Sequence, residues 1–167
     1  MNKKTAKGFT LIELLIVIAL LGALAVGLLA AVDPFEQLKK GRDTSLRNTA
    51  AEFFNATIRY YAQRSEFPWD TSVVGIGGTS SLDTMGSSIT TMANAGELKQ
   101  DFYTLAGGSS NLKKVNLYFE NTEKIVICFQ PESKSFRNDK NTIYDSTGSI
   151  LSSCPDATSN ACHICFK

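Results

Sequence analysis

Residues 9–32 constrain this chain more than any other stretch, because they are almost wholly apolar: F-T-L-I-E-L-L-I-V-I-A-L-L-G-A-L-A-V-G-L-L-A-A-V. At about 1.5 Å per residue, such a run folded as a helix crosses a hydrocarbon core of roughly 30 Å. One charge interrupts it. A carboxylate at Glu13 costs about 2.5–3.5 kcal/mol on insertion scales unless it is paired or neutralised, so it needs a partner or a task. Upstream, Lys3, Lys4 and Lys7 form a basic head with no acid among the first eight residues. Such a head stays on the cytoplasmic side and sends everything beyond Val32 outside. Gly8 separates this head from the apolar run. Cutting after Gly8 frees the amine of Phe9, four residues before Glu13. In a parallel bundle of such helices, one subunit's amine meets a neighbour's Glu13, and the charge is compensated only on assembly.

Lys7-Gly8-Phe9-Thr10-Leu11-Ile12-Glu13-Leu14 resembles the N-terminal signature of type IV pilins and type II secretion pseudopilins. The motif combines a basic leader, Gly–Phe and one Glu at a fixed place in an apolar helix. The resemblance implies cleavage between Gly8 and Phe9 by a prepilin peptidase, and N-methylation of Phe9 by the same peptidase/methyltransferase. It implies a single-pass precursor in the cytoplasmic membrane with its C-terminal domain outside. It further implies assembly with other pilin subunits, by a pilus or secretion machinery, into an extracellular or periplasmic filament. Glu13 then faces a neighbour's amino terminus. The resemblance covers about the first thirty-five residues closely and the following amphipathic segment loosely.

Three other readings of the apolar run compete. A secretory signal peptide would be cut near Ala23-Leu24-Ala25, but it leaves Glu13 without a purpose and makes the run long for a signal core. A lipoprotein anchor needs a cysteine just after the run, and the first cysteine is Cys128. A plain single-pass anchor for an extracellular binding domain that does not polymerise also leaves Glu13 unpaired.

With 167 residues, one domain beyond the N-terminal segment is expected. The net charge of +1 depends on the head; without Lys3, Lys4 and Lys7 there are 14 basic against 16 acidic residues. That near-neutral balance gives no strong nucleic-acid signal. With a single histidine, His163, set between cysteines, no catalytic constellation is visible, and an enzyme is not expected.

Asp33-Pro34 ends the apolar run, with Asp33 as a helix N-cap and Pro34 as a first-turn residue. From residue 35 to 64 the apolar positions Phe35, Leu38, Leu46, Ala50, Phe53, Ala56 and Tyr60 recur at helical steps. The bases Lys39, Lys40, Arg42 and Arg47, interleaved with Glu36, Asp43 and Glu52, read as a solvated face. Glu66-Phe67-Pro68-Trp69 stops the helix, with Trp69 as a lid on the core. Residues 71–81 read as a loop. A short amphipathic helix follows, with Leu82, Met85, Ile89 and Met92 on one side, Ser81 as N-cap and Gly96 as stop. Leu98, Phe102 and Leu105 suggest another helical turn or two.

The alternation Val115, Leu117, Phe119, a turn at Asn121-Thr122 and the β-branched run 125–129 predict a hairpin. Ser135-Phe136-Arg137 and Thr142-Ile143-Tyr144 read as two further short strands. The expected fold is therefore α+β: a long N-terminal helix, membrane-spanning in its first half and amphipathic in its second, packed on a small antiparallel sheet. Its expected segments are a cleaved leader 1–8, a membrane and assembly helix 9–32, an amphipathic continuation 33–65, a connecting region 66–112 with short helices, and the sheet with a cysteine-rich tail over 113–167.

Cys128, Cys154, Cys162 and Cys165 are the disulfide candidates of an exported domain. Four thiols allow three pairings and the sequence does not choose among them. Joining Cys128 to a tail cysteine is favoured, since it pins an otherwise mobile end. A zinc site built on Cys154, Cys162, His163 and Cys165 is disfavoured, because Cys162 and His163 are adjacent and exported thiols oxidise. No cofactor or metal is expected.

Overall fold

The computed structural model describes residues 8–31, 33–70, 72 and 74–167. The basic leader before Gly8, with Lys3, Lys4 and Lys7, and Val32, the expected end of the apolar run, lie outside the described residues. The chain forms two compact units, Met1–Gln37 and Leu38–Lys167.

In the first unit, helix α1 spans Leu11–Ala31, about 31 Å at 1.5 Å per residue. None of its side chains from Leu11 to Leu29 is buried. Helix α2, Pro34–Arg64, begins here. Asp33 caps it, its Oδ1 accepting the N–H groups of Phe35 at 3.1 Å and Glu36 at 3.2 Å. Pro34, the first helical residue, has no N–H to leave unsatisfied.

In the second unit, α2 supplies one wall of the core. Leu46, Ala50, Phe53, Ala56 and Tyr60 fall at steps of four, three, three and four and are all buried. A four-stranded antiparallel sheet faces them, in the order β1 (Thr79–Ser81), β2 (Val115–Asn121), β3 (Lys124–Phe129) and β4 (Ile164–Phe166). Strands β2 and β3 form the tight hairpin, in register Val115 opposite Phe129 to Phe119 opposite Ile125. Their alternate residues Val115, Leu117, Phe119, Ile125, Ile127 and Phe129 join the core. Between β1 and β2, a 3-10 turn at Leu82–Thr84 and the short helices α3 (Gly86–Asn94), α4 (Phe102–Leu105) and α5 (Ser109–Leu112) close its remaining side.

Strand β3 is buried on both faces, since Val126 and Cys128 are also covered. The tail covers this second face. Cys128 is bonded to Cys165 directly across the β3–β4 register, with Cα atoms 4.1 Å apart. Gly148 lies so close over Val126 that an added Cβ would stand 2.6 Å from Val126 Cγ1, and its φ of +82° is itself a glycine conformation. The second bridge, Cys154–Cys162, closes a loop within the tail. All four cysteines are thus in disulfides, and among the described residues no three His, Cys, Asp or Glu side chains gather to hold a metal.

Several expectations need correction. Residues 135–137 are not a strand. Lys134–Arg137 form a helical turn, α6, because Ser133 is a working N-cap whose Oγ accepts the Phe136 N–H. Of 142–144, Tyr144 alone makes β-bridges, to Ile150 and His163. The outer strands are instead β1, in what read as a loop, and β4, in the last cysteine pair. The helix expected from Leu82 is split at Met85 into the 3-10 turn and α3. Asp43 does not belong to a solvated face; it is fully buried. Phe35 and Leu38 are exposed, so the buried stripe of α2 starts later than its sequence periodicity suggests.

Candidate functional site

Helix α1 begins at Leu11, so Thr10 is its N-cap and Glu13 its third residue. The two side chains cap each other. The Glu13 N–H donates to Thr10 Oγ1 at 3.3 Å, while Glu13 Oε2 accepts the Thr10 backbone N–H at 2.8 Å and the Thr10 hydroxyl at 2.7 Å. This is a capping box, in which two orphan donors of the first turn are satisfied reciprocally. A carboxylate here also lies at the positive end of the helix dipole. Both bonds fall on Oε2, and Oε1 takes part in neither.

Glu13 therefore has a local partner that the apolarity argument did not supply. The signal was present in the sequence as Thr10-Leu11-Ile12-Glu13, the spacing of a capping box. Gly8 and Phe9 precede the helix and are exposed, Phe9 at 86 %. The peptide bond between them is thus outside helical structure, and Phe9 stands one residue before the cap. The arrangement places an accessible Gly8–Phe9 bond and a capped carboxylate within six residues, at the start of an apolar helix with no internal cover.

The second unit carries two polar groupings and one aromatic one. At Asp43, Oδ1 accepts the Glu132 N–H at 2.8 Å, and Oδ2 accepts the Ser133 N–H at 2.7 Å and the Ser133 hydroxyl at 2.6 Å. Asp43 and Ser133 are both fully buried, so this bond set latches α2 to the segment after β3. Just outside it, Glu132 bridges Lys114 at 2.5 Å and Arg42 at 3.5 Å.

The Lys114 hydrogen bond holds the Glu132 carboxyl below its ordinary value of 4.5, against the opposing effect of partial burial. A carboxyl whose folded value is depressed stabilises the fold fully above its unfolded value, and that contribution is lost as pH falls through the folded value. The urea midpoint should accordingly decline once the pH drops below the ordinary Glu range. Lys114→Met should flatten part of that decline; an unchanged profile would remove Glu132 from the account. The third grouping is a ring cluster after α2. Tyr61 stacks on Phe67 at 4.7 Å, Phe67 stacks on Trp69 at 4.9 Å, and Phe119 meets both Phe67 and Trp69 edge-on.

Comparison with known proteins bears on the first of these sites. A family model described as the prokaryotic N-terminal methylation motif matches residues 3–29. A fimbrial protein of Neisseria meningitidis serogroup A / serotype 4A (strain DSM 15465 / Z2491) is 31 % identical over 147 residues, 83 % of this chain and 80 % of that protein. The type IV major pilin protein PilE of Neisseria gonorrhoeae is 29 % identical over 150 residues, 85 % of this chain and 84 % of that protein. The fimbrial protein EcpC of Eikenella corrodens is 37 % identical over 79 residues, 47 % of this chain and 50 % of that protein. No solved structure matches the chain.

Proposed function

The chain belongs to the type IV pilin family, and from that premise we propose that it is a structural subunit of a surface pilus, made as a membrane-held precursor. A prepilin peptidase cuts between Gly8 and Phe9 and methylates the new amine. The subunit is held in the cytoplasmic membrane by α1, with residues beyond Asp33 on the outer side, and then polymerises with other pilin subunits into an extracellular filament. Glu13 sets registry by meeting the Phe9 amine of a neighbour. The role is architectural rather than enzymatic.

The observation that carries this reading is the start of α1. A capped carboxylate sits third in a fully exposed apolar helix, just after an accessible Gly8–Phe9 bond. Similarity to a fimbrial protein and a type IV major pilin, over four fifths or more of each, favours a pilus over a secretion pseudopilus.

The test is intact mass with N-terminal sequencing of the protein recovered from its cells. The expected species lacks Met1 to Gly8 and carries one extra methyl on Phe9. An unshortened start would mean an anchored domain that does not polymerise. A start near Val26 would mean ordinary secretion and end the assembly reading.

A further inference from the structure

The two ends of the Leu38–Lys167 unit carry opposite charge. Its part of α2, from Leu38 to Arg64, is about 39 Å long at 1.5 Å per residue, and strand β2 runs alongside from Val115 to Asn121. At the near end Leu38 is 63 % exposed and followed by Lys39 and Lys40. Lys113, just after α5 and two residues before β2, is exposed beside the Arg42–Glu132–Lys114 bridge. Bases outnumber acids there. At the far end, Ser65 turns the chain with a φ of +56°. The turn opens a notch of about 260 Å³ walled by Phe67, Trp69 and Phe119 and rimmed by Glu66 and Thr122. Glu123 follows Thr122 on the hairpin turn. Neither Glu66 nor Glu123 has an ion-pair partner among the described residues. The buried Trp69 Nε1 also lacks a hydrogen-bond partner there.

We propose that the notch receives the Leu38 end of a second copy of this chain, head to tail, with Lys39 and Lys40 set against Glu66 and Glu123. This rests on the filament reading above. An apolar notch with Glu66 on its rim and Glu123 beside it, and an exposed Leu followed by two lysines that join none of the described salt bridges, Lys39 reaching Glu132 only through its longer-range field, match in polarity and in charge. The contact joins unlike surfaces at opposite ends of one helix. It is therefore heterologous, and it extends a row of copies instead of closing on itself. It would give the heads a lengthwise contact separate from anything α1 does.

The test uses the full chain in cells that assemble it. The pair Lys39→Glu with Lys40→Glu, and the pair Glu66→Lys with Glu123→Lys, should each lower the yield of sheared filaments about tenfold, and all four changes together should restore it. Thr122→Trp, which fills the notch without changing charge, should lower the yield as well. Equal amounts of membrane-held subunit in every variant show that folding is unaffected. Wild-type yield in the paired variants, no recovery in the fourfold variant, or wild-type yield with the notch filled would each overturn the contact. If unmutated chains are cut at Phe9 and form filaments, such results leave the pilin reading intact. If they do neither, that reading fails first and this one with it.

Discussion

Glu13→Ala should leave the subunit in the membrane and abolish most filament assembly. The apolar run is untouched by the change, and removing a carboxylate from it relieves an insertion cost of about 2.5–3.5 kcal/mol. The local loss is the capping box with Thr10, worth about 0.5–2 kcal/mol and confined to the first turn. The loss on assembly is larger. An amine left unpaired inside an apolar bundle costs about 3–5 kcal/mol, which at 1.36 kcal/mol per decade is roughly two to four decades in subunit incorporation. Counting surface filaments against membrane-held subunits separates the two effects. Glu13→Gln keeps a capping acceptor while removing the charge, so it should match Ala in filaments. Wild-type filament numbers from either variant would sink the pairing role.

Asp43→Ala should unfold a large part of the Leu38–Lys167 unit. Three donors, the Glu132 N–H, the Ser133 N–H and the Ser133 hydroxyl, point at one fully buried carboxylate. Alanine leaves all three without their acceptor. Stranded buried donors cost about 1–3 kcal/mol apiece, and some of that is recovered by water entering, so the expected loss is about 3–5 kcal/mol. That is a large share of a small domain's stability. Denaturant unfolding, or protease resistance in the membrane, measures it. Asp43→Asn should do less harm, because its amide oxygen still accepts some of the bonds. If the alanine variant unfolds at the wild-type denaturant concentration, the latch is not what holds α2 to the strand-and-tail segment.

Much of this molecule could be read from its residues wherever a long period repeats. The 21 residues of α1, the stripe Leu46 to Tyr60 and the alternation along β2 each bury or expose a face many times over, so local accident cannot hide them. Short elements escaped. Strands β1 and β4 have three residues each, too few to show alternation, and their pairing partners lie far off in the chain. Residues 135–137 alternate like a strand, but the Ser133 cap decides for a helical turn. Asp43 looked solvated because its bonding partners are 89 and 90 positions away, beyond any spacing rule. At the candidate site, the apolar context and the lone carboxylate were visible. The partnership of Thr10 with Glu13 is written in a capping-box spacing, within a run whose dominant signal is its apolarity.

Helix α1 presents apolar side chains on every side from Leu11 to Leu29. Moving such a helix from lipid into a bundle of its own kind exchanges one oil for another. Water is displaced in neither state, so the hydrophobic effect contributes little to that exchange. What distinguishes the two environments is shape and one polar meeting point: lipid tails cannot mirror the helix surface, and they offer nothing to a carboxylate. The free energy of joining is therefore small per residue and concentrated at one end. For a subunit assembled in that way, what α1 itself contributes to joining is decided by side-chain fit and by Glu13.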